Sequence, residues 1–261
     1  MTQGILITRE GDIATVALSN PGKLNALTVA MWGELATAFR ALSADNGVRC
    51  IVIRGAGDEA FAAGADIAEF ATVRDTAEQA RVYHRQHVYG ALAAIDNCPH
   101  PTVAMIKGAC AGGGLEIACL CDLRISGSSG RFGVPINRLG FPIAYEELAA
   151  VLPLAGKAVM LEILLEGRML GADEAYSKGL LTRVVDDSQA EQEVYATAKR
   201  IAAGAPLVAR WNKQRIRRLL ALPDPLEESE INAGFEHMQT EDYRIGMRAF
   251  LAKTKPKFVG R

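Results

Sequence analysis

Twice along this chain a short, continuously apolar run passes into a glycine turn and then into a helical pattern. Cys50-Ile-Val-Ile-Arg54 meets Gly55-Ala-Gly57 ahead of a polar helix from about Thr76 to Ile95. Thr102-Val-Ala-Met-Ile106 meets a turn from Gly108 to Gly114, then an apolar helix to Cys121 and a further strand from Asp122 to Ser126. Strands apolar along their whole length are buried on both faces, and parallel strands need long crossovers, usually helical. The order therefore predicts an α/β fold with a parallel sheet.

The flanking segments fit that frame. Ile5 to Arg9 and Ile13 to Leu18 enclose Glu10-Gly11-Asp12 as a hairpin, and Met31, Leu35, Ala38, Phe39 and Leu42 recur at helical spacing behind a Thr28 cap. Strand signals cease after Val185. From Gln189 onward the chain reads as helices, punctuated by Gly204-Ala-Pro206 and Leu222-Pro-Asp-Pro225. A boundary near residue 200 follows, with a core over 1–200 and a helical module over 201–261.

Composition excludes more than it assigns. Lys and Arg number 29 against 30 Asp and Glu in 261 residues, a net charge of −1, so no global field directs the chain to nucleic acid or a membrane surface. The apolar stretches are broken by charge or glycine short of the ~18 residues a membrane span needs, and the N-terminus carries no targeting pattern, so a cytoplasmic protein is expected. The five cysteines, Cys50, Cys98, Cys110, Cys119 and Cys121, sit mostly in apolar surroundings and read as reduced core thiols. Glycine is the one compositional hint, at 25 residues.

Two glycine turns hold the chemistry. Phe61-Ala-Ala-Gly-Ala-Asp-Ile67 packs small residues around Gly64, and Lys107-Gly-Ala-Cys-Ala-Gly-Gly-Gly-Leu-Glu-Ile117 places three glycines at a helix start. Unpaired N–H groups at such a start bind negative charge, and two turns converging on one oxygen would stabilise an oxyanion or enolate. Tight packing of helix on strand accounts for the same glycines without any ligand. Glu116 lies in the first turn of an otherwise apolar helix. It is either a carboxylate favoured by the helix dipole or the base that α-proton chemistry beside a carbonyl requires.

At these residues the chain resembles the crotonase superfamily, the enoyl-CoA hydratase/isomerase family. Motifs in the family's order span essentially the whole sequence: Asn20-Pro-Gly-Lys-Leu-Asn-Ala-Leu27, the two glycine turns, Cys121-Asp122, Phe132-Gly-Val-Pro135, Gly167-Arg-Met-Leu-Gly-Ala-Asp-Glu-Ala175 and Gly179-Leu180. The resemblance implies a spiral of ββα units with a C-terminal helical trimerisation region, a homo-trimer or hexamer, and an acyl-CoA or enoyl-CoA substrate of fatty-acid metabolism with no separate cofactor and no metal. It also implies oxyanion donors at the N–H groups of Ala65 and Gly113 and an acid/base role for Glu116. Ala63, Asp66 and Ile67 would line the bend holding the CoA, with Lys23 near its phosphates and the C-terminal Lys253, Lys255 and Lys257 as further phosphate partners.

One position departs from the family pattern. Hydratases of the family carry a second glutamate directly after the Phe-Gly-x-Pro segment, and here that residue is Ile136. Gly140-Phe-Pro-Ile-Ala-Tyr-Glu-Glu-Leu148 replaces the segment that usually follows. Glu146, Glu147 and Tyr145 are the nearest substitutes, although a surface helix starting near Ala144 with first-turn acids explains them equally. Single-base isomerisation or decarboxylation, or a non-catalytic acyl-CoA-binding member, are the alternatives to hydration. Tyr83, His84 and His87 on the 76–95 helix are expected to shape acyl selection. The basic run Arg210 to Arg218 reads as a solvated face balanced by Asp224, Glu227, Glu228 and Glu230 rather than an RNA footprint.

Overall fold

The computed structural model describes residues 2–204, 206–220, 228–233, 236–254 and 256. The acids Asp224 and Glu227, the Leu222-Pro-Asp-Pro225 stretch, Ala205, Lys255 and Lys257 lie outside the described residues.

The hairpin forms as its turn chemistry predicts. Gly4–Glu10 pairs antiparallel with Ile13–Ser19, reversing at Gly11 with φ +61°. Ile13–Ser19 then starts a parallel series through Cys50–Gly55, Thr102–Ile106, Leu123–Gly127 and Arg183–Val185, giving one six-stranded sheet. A second sheet of four very short strands, Ala60–Ala62, Ala109–Ala111, Arg131–Gly133 and Leu170–Gly171, is absent from the sequence reading. Its strands are only two or three residues long, too short for any alternation to build up. Along the chain, successive units give one strand to the large sheet, one to the small sheet, and then a helix. This is the crotonase-type α/β spiral of ββα units.

Helices seal both faces of the large sheet. Val29–Ala44, capped by the Thr28 hydroxyl, buries Met31, Trp32, Leu35, Phe39 and Leu42. Asp187–Ala202 covers the other face, packing Val194, Ala198 and Ala202 on Cys50, Val52, Val103, Met105 and Ile125. Each large apolar side chain buried in this way contributes about 1.5–3 kcal/mol. All five thiols are buried and free. Burial pushes Cys50, Cys119 and Cys121 up to about 12, so they are inert packing residues.

Three elements differ from the sequence reading. The 76–95 helix is interrupted: Ala77–Val82 and Tyr89–Asp96 are α-helical, and Tyr83–Val88 between them is a π-helical turn. The basic helix Pro206–Leu220 is turned partly onto the core. Arg210 donates to Asn46, Lys213 pairs with Asp122 at 2.6 Å and Arg217 pairs with Asp96 at 3.4 Å, so Asp122 and Asp96 balance part of its charge. The helix Tyr145–Glu166 has a mean hydropathy of 2.0 over its best window, so by length and composition it could cross a membrane, contrary to the expectation that no stretch qualifies. Its axis breaks at Gly156, where φ is +72°, and its first turn carries buried Glu147.

The C-terminal helices return to the core. Glu241–Leu251 packs Gly246 so closely on the Leu139 carbonyl that a Cβ would lie 2.1 Å from its oxygen, and Tyr243 and Met238 close over Ala80. This packing brings Phe250 and Leu251 to the edge of the groove described next.

Candidate active site

The two glycine turns meet. Gly64 has φ +102° and Gly112 φ +47°, left-handed conformations that side chains with a Cβ rarely adopt. A Cβ on Gly64 would sit 3.2 Å from the Ala111 carbonyl oxygen, and one on Gly112 would sit 3.6 Å from the Gly64 Cα. The 61–67 segment is pinned by bonds from Leu27 N–H to the Gly64 carbonyl at 2.7 Å and from Asp66 N–H to the Leu27 carbonyl at 2.8 Å. The Gly112 N–H donates to the Gly133 carbonyl at 3.0 Å, and the Glu116 N–H returns to the Gly112 carbonyl. The N–H groups of Ala65 and Gly113 take no part in these backbone bonds. Tight packing also holds, since a Cβ on Gly114 would lie 2.4 Å from the Ala62 carbonyl oxygen.

These turns stand where two hollows join. Outside is a groove of about 690 Å³ lined by Lys23, Ala63, Ala65, Asp66 and Ile67, together with Arg138, Phe250 and Leu251. Inside is a cavity of about 110 Å³ that shares Ala63, Ala65 and Ile67 with the groove and adds Gly113, Glu116, Ile136, His84, Arg74 and Glu147. Lys23, Ala63, Ala65, Asp66, Ile67, Gly113 and Glu116, the site residues that the resemblance implies, therefore border one connected space, whereas Lys253 lines neither hollow. The Lys23 ammonium pairs with Asp66 at 2.6 Å, and the other Asp66 oxygen caps Ala68 N–H at 3.2 Å. Arg138 is a cation at the groove that sequence reasoning missed, because it follows no motif.

Glu116 is 3% exposed, and its Oε2 has no hydrogen-bond partner among the described residues. Burial, followed by the nearby Glu147 charge, holds its carboxyl well above the usual range. Of the three candidate substitutes, Tyr145 is 42% exposed and Glu146 lies beside Arg85 at 4.0 Å. Glu147 is 9% exposed, lines the cavity and shares a hydrogen bond with His84 Nδ1. The surface-helix reading thus holds for Tyr145 and fails for Glu147, because the first helical turn presents adjacent side chains about 100° apart and sends one of them inward. Burial pushes the Glu147 pKa up, but the charge and hydrogen bond of His84, with the Arg74 charge, outweigh it and hold the pKa below its ordinary value.

The π-helical turn carries Tyr83 and His84 to the cavity wall, and wide turns of this kind recur at functional sites. His87 of the same turn does not line the cavity. Arg74 is 1% exposed, with its guanidinium 4.1 Å over the Phe141 ring and 4.7 Å over Phe70. Nothing short of the three-dimensional packing reveals Arg74, which sits in a polar stretch with no recognisable pattern.

A family described as Enoyl-CoA hydratase/isomerase matches residues 8–261. The fold is shared with a solved enoyl-CoA hydratase/carnithine racemase of Magnetospirillum magneticum, 50% identical, at a TM-score of 0.83 over 100% of this chain and 97% of the other. A short-chain-enoyl-CoA hydratase of Clostridium acetobutylicum is 30% identical over 252 residues, covering 96% of this chain and 95% of the relative. A methylmalonyl-CoA decarboxylase solved with 2-nitronate-propionyl-CoA is 27% identical, with a TM-score of 0.88 and full coverage of both chains.

Proposed function

The chain belongs to the enoyl-CoA hydratase/isomerase family, and from that premise we propose that it transforms a short-chain enoyl-CoA thioester through a stabilised enolate. The thioester oxygen would accept hydrogen bonds from the Ala65 and Gly113 N–H groups, and Glu116 would move the proton at Cα. The observation that carries this reading is the junction itself: two backbone donors unused by their own turns stand between a long outer groove and a small cavity holding a buried carboxylate. A donor aimed at the developing oxyanion typically contributes about 2.7–4 kcal/mol to barrier lowering, because a dry, preorganised site spends nothing on reorienting it.

The groove supports the CoA portion of the reading. Lys23 and Arg138 stand at its wall for the phosphates, and the apolar Ala63, Ile67 and Leu251 suit the pantetheine arm. The inner cavity supports a short acyl group, since about 110 Å³ is less than the ~150 Å³ that encloses benzene. The short-chain hydratase among the relatives agrees with that size.

Decarboxylation is the second reading, supported by the close fold match to methylmalonyl-CoA decarboxylase and by Ile136 at the cavity wall. Both reactions pass through the same enolate. Incubation with crotonyl-CoA and with methylmalonyl-CoA separates them. Loss of the conjugated thioester absorbance is expected with the first, and CO₂ release without it would transfer the assignment to the second. CoA binding without turnover of either thioester would leave a binding protein.

We also propose a homo-trimer or hexamer. Leu152, Leu161 and Leu165 of the Tyr145–Glu166 helix stand exposed, apolar surface that a second copy of the chain would cover.

A further inference from the structure

The site has an acid and a base rather than a lone carboxylate. We infer that Glu147, positioned by His84, is the second acid/base group, facing the cavity that Glu116 enters from another helix. The inference rests on the enolate reading above and extends it to a residue outside the family motif.

Three observations converge. First, Glu147 reaches the Glu116 cavity from a different helix, while Ile136, at the motif position, meets the same cavity with an apolar side chain. Second, the His84 ring is buried and Nδ1 is bonded to Glu147 Oε1. An ionised carboxylate only accepts, so Nδ1 carries the hydrogen and the ring fixes the carboxylate orientation. Third, the charged and titratable groups around Glu147 are unevenly shared. His84 and Tyr83 face it from the π-helical turn, Arg74 from the aromatic cage of Phe70 and Phe141, and Glu116 from the Gly113–Leu120 helix. On its own helix Glu146 is turned to Arg85. Two carboxylates lining one small cavity resist ionising together. The proton stays on Glu116, whose Oε2 has no partner among the described residues, and the charge on Glu147, beside His84 and Arg74.

Roles follow from this asymmetry. In hydration, the Glu147 carboxylate takes a proton from water as the water oxygen bonds to Cβ. The double-bond electrons move to the thioester oxygen as an enolate, and Glu116 gives its proton to Cα as the enolate collapses. The elements of water are added, Glu147 is left protonated and Glu116 ionised, and one proton exchange with solvent resets the pair.

Infrared difference spectra near neutral pH test the charges without reference to activity. Glu147→Gln is expected to remove an ionised-carboxylate band and Glu116→Gln a protonated-carboxyl band; the reverse assignment, or two bands of one kind, overturns the inference. Hydration of crotonyl-CoA tests the roles. Glu147→Gln is expected to lower kcat by about 10²–10⁴ with KM changed less than about threefold. His84→Asn is expected to move the acid limb of kcat/KM to higher pH, because burial of Glu147 is then opposed only by the Arg74 charge and the backbone hydrogen bond at Ala144. An active wild type with an undiminished Glu147→Gln variant overturns this inference alone. A wild type that binds crotonyl-CoA and never hydrates it overturns the enolate-hydration reading with it.

Discussion

Glu116 and Glu147 enter one small cavity from two different helices, and their surroundings drive their acidities apart. Burial pushes the Glu116 carboxyl up, whereas His84 and Arg74 pull that of Glu147 down. Pairs separated in this way are how a site holds an acid and a base at one pH.

The buried acid has a cost that depends on pH. Glu116 has a folded-state pKa raised above its unfolded value, so the native state binds the extra proton. Its stabilising share is complete below the unfolded value near 4.5 and is lost as pH rises toward the folded one. Melting temperature measured against pH is expected to fall more steeply above pH ~5 in the wild type than in Glu116→Gln. Parallel curves would mean that Glu116 does not keep its proton. The same variant is expected to lose about 10²–10⁴ in kcat on crotonyl-CoA.

Gly64→Ala tests the oxyanion geometry. At φ +102° and 3.2 Å from the Ala111 oxygen, a Cβ strains the turn and shifts the neighbouring Ala65 N–H. A loss of about 10²–10³ in kcat is expected with a destabilisation of about 1–3 kcal/mol by chemical denaturation. Normal turnover in a destabilised protein would remove the Ala65 donor from the mechanism.

The small inner cavity predicts a preference for short acyl chains. Specificity constants for enoyl-CoA substrates are expected to fall by at least about tenfold for each step of two carbons beyond crotonyl, since an overfilled pocket costs about 1–3 kcal/mol. Phe141→Ala is expected to flatten that series. A preference for long chains in the wild type would contradict the cavity reading.

Ile136→Glu restores the residue expected by the family motif, and the present site predicts no benefit from it. A third carboxylate beside Glu116 and Glu147 adds repulsion in a buried space, so slower hydration and a lower melting temperature are expected. Faster hydration would show that Glu147 does not already fill the role.

Light scattering after size exclusion is expected to give the mass of three or six chains. Leu165→Glu, at a side chain 73% exposed, is expected to shift it toward the monomer with little change in far-UV circular dichroism. An unchanged assembly would place the interface elsewhere.

Much of the molecule was legible in one dimension because its determinants are local. The hairpin needs only Gly11 and its flanking alternation, the Val29–Ala44 helix only the Thr28 cap and apolar spacing, and the parallel strands only their continuous apolar runs. The two glycine turns and Glu116 were likewise visible, since a run of glycines before a helix and a carboxylate in an apolar segment both break the local pattern. The identity of the second carboxylate was not. Glu146 and Glu147 are adjacent and chemically alike, and only packing turns one toward Arg85 and the other toward His84, 63 positions away. The π-helical turn that presents His84 and the aromatic cage around Arg74 are decided in the same way, by contacts among segments far apart in sequence. Burial and electrostatics are properties of an environment, and the environment exists only once the chain has closed around it.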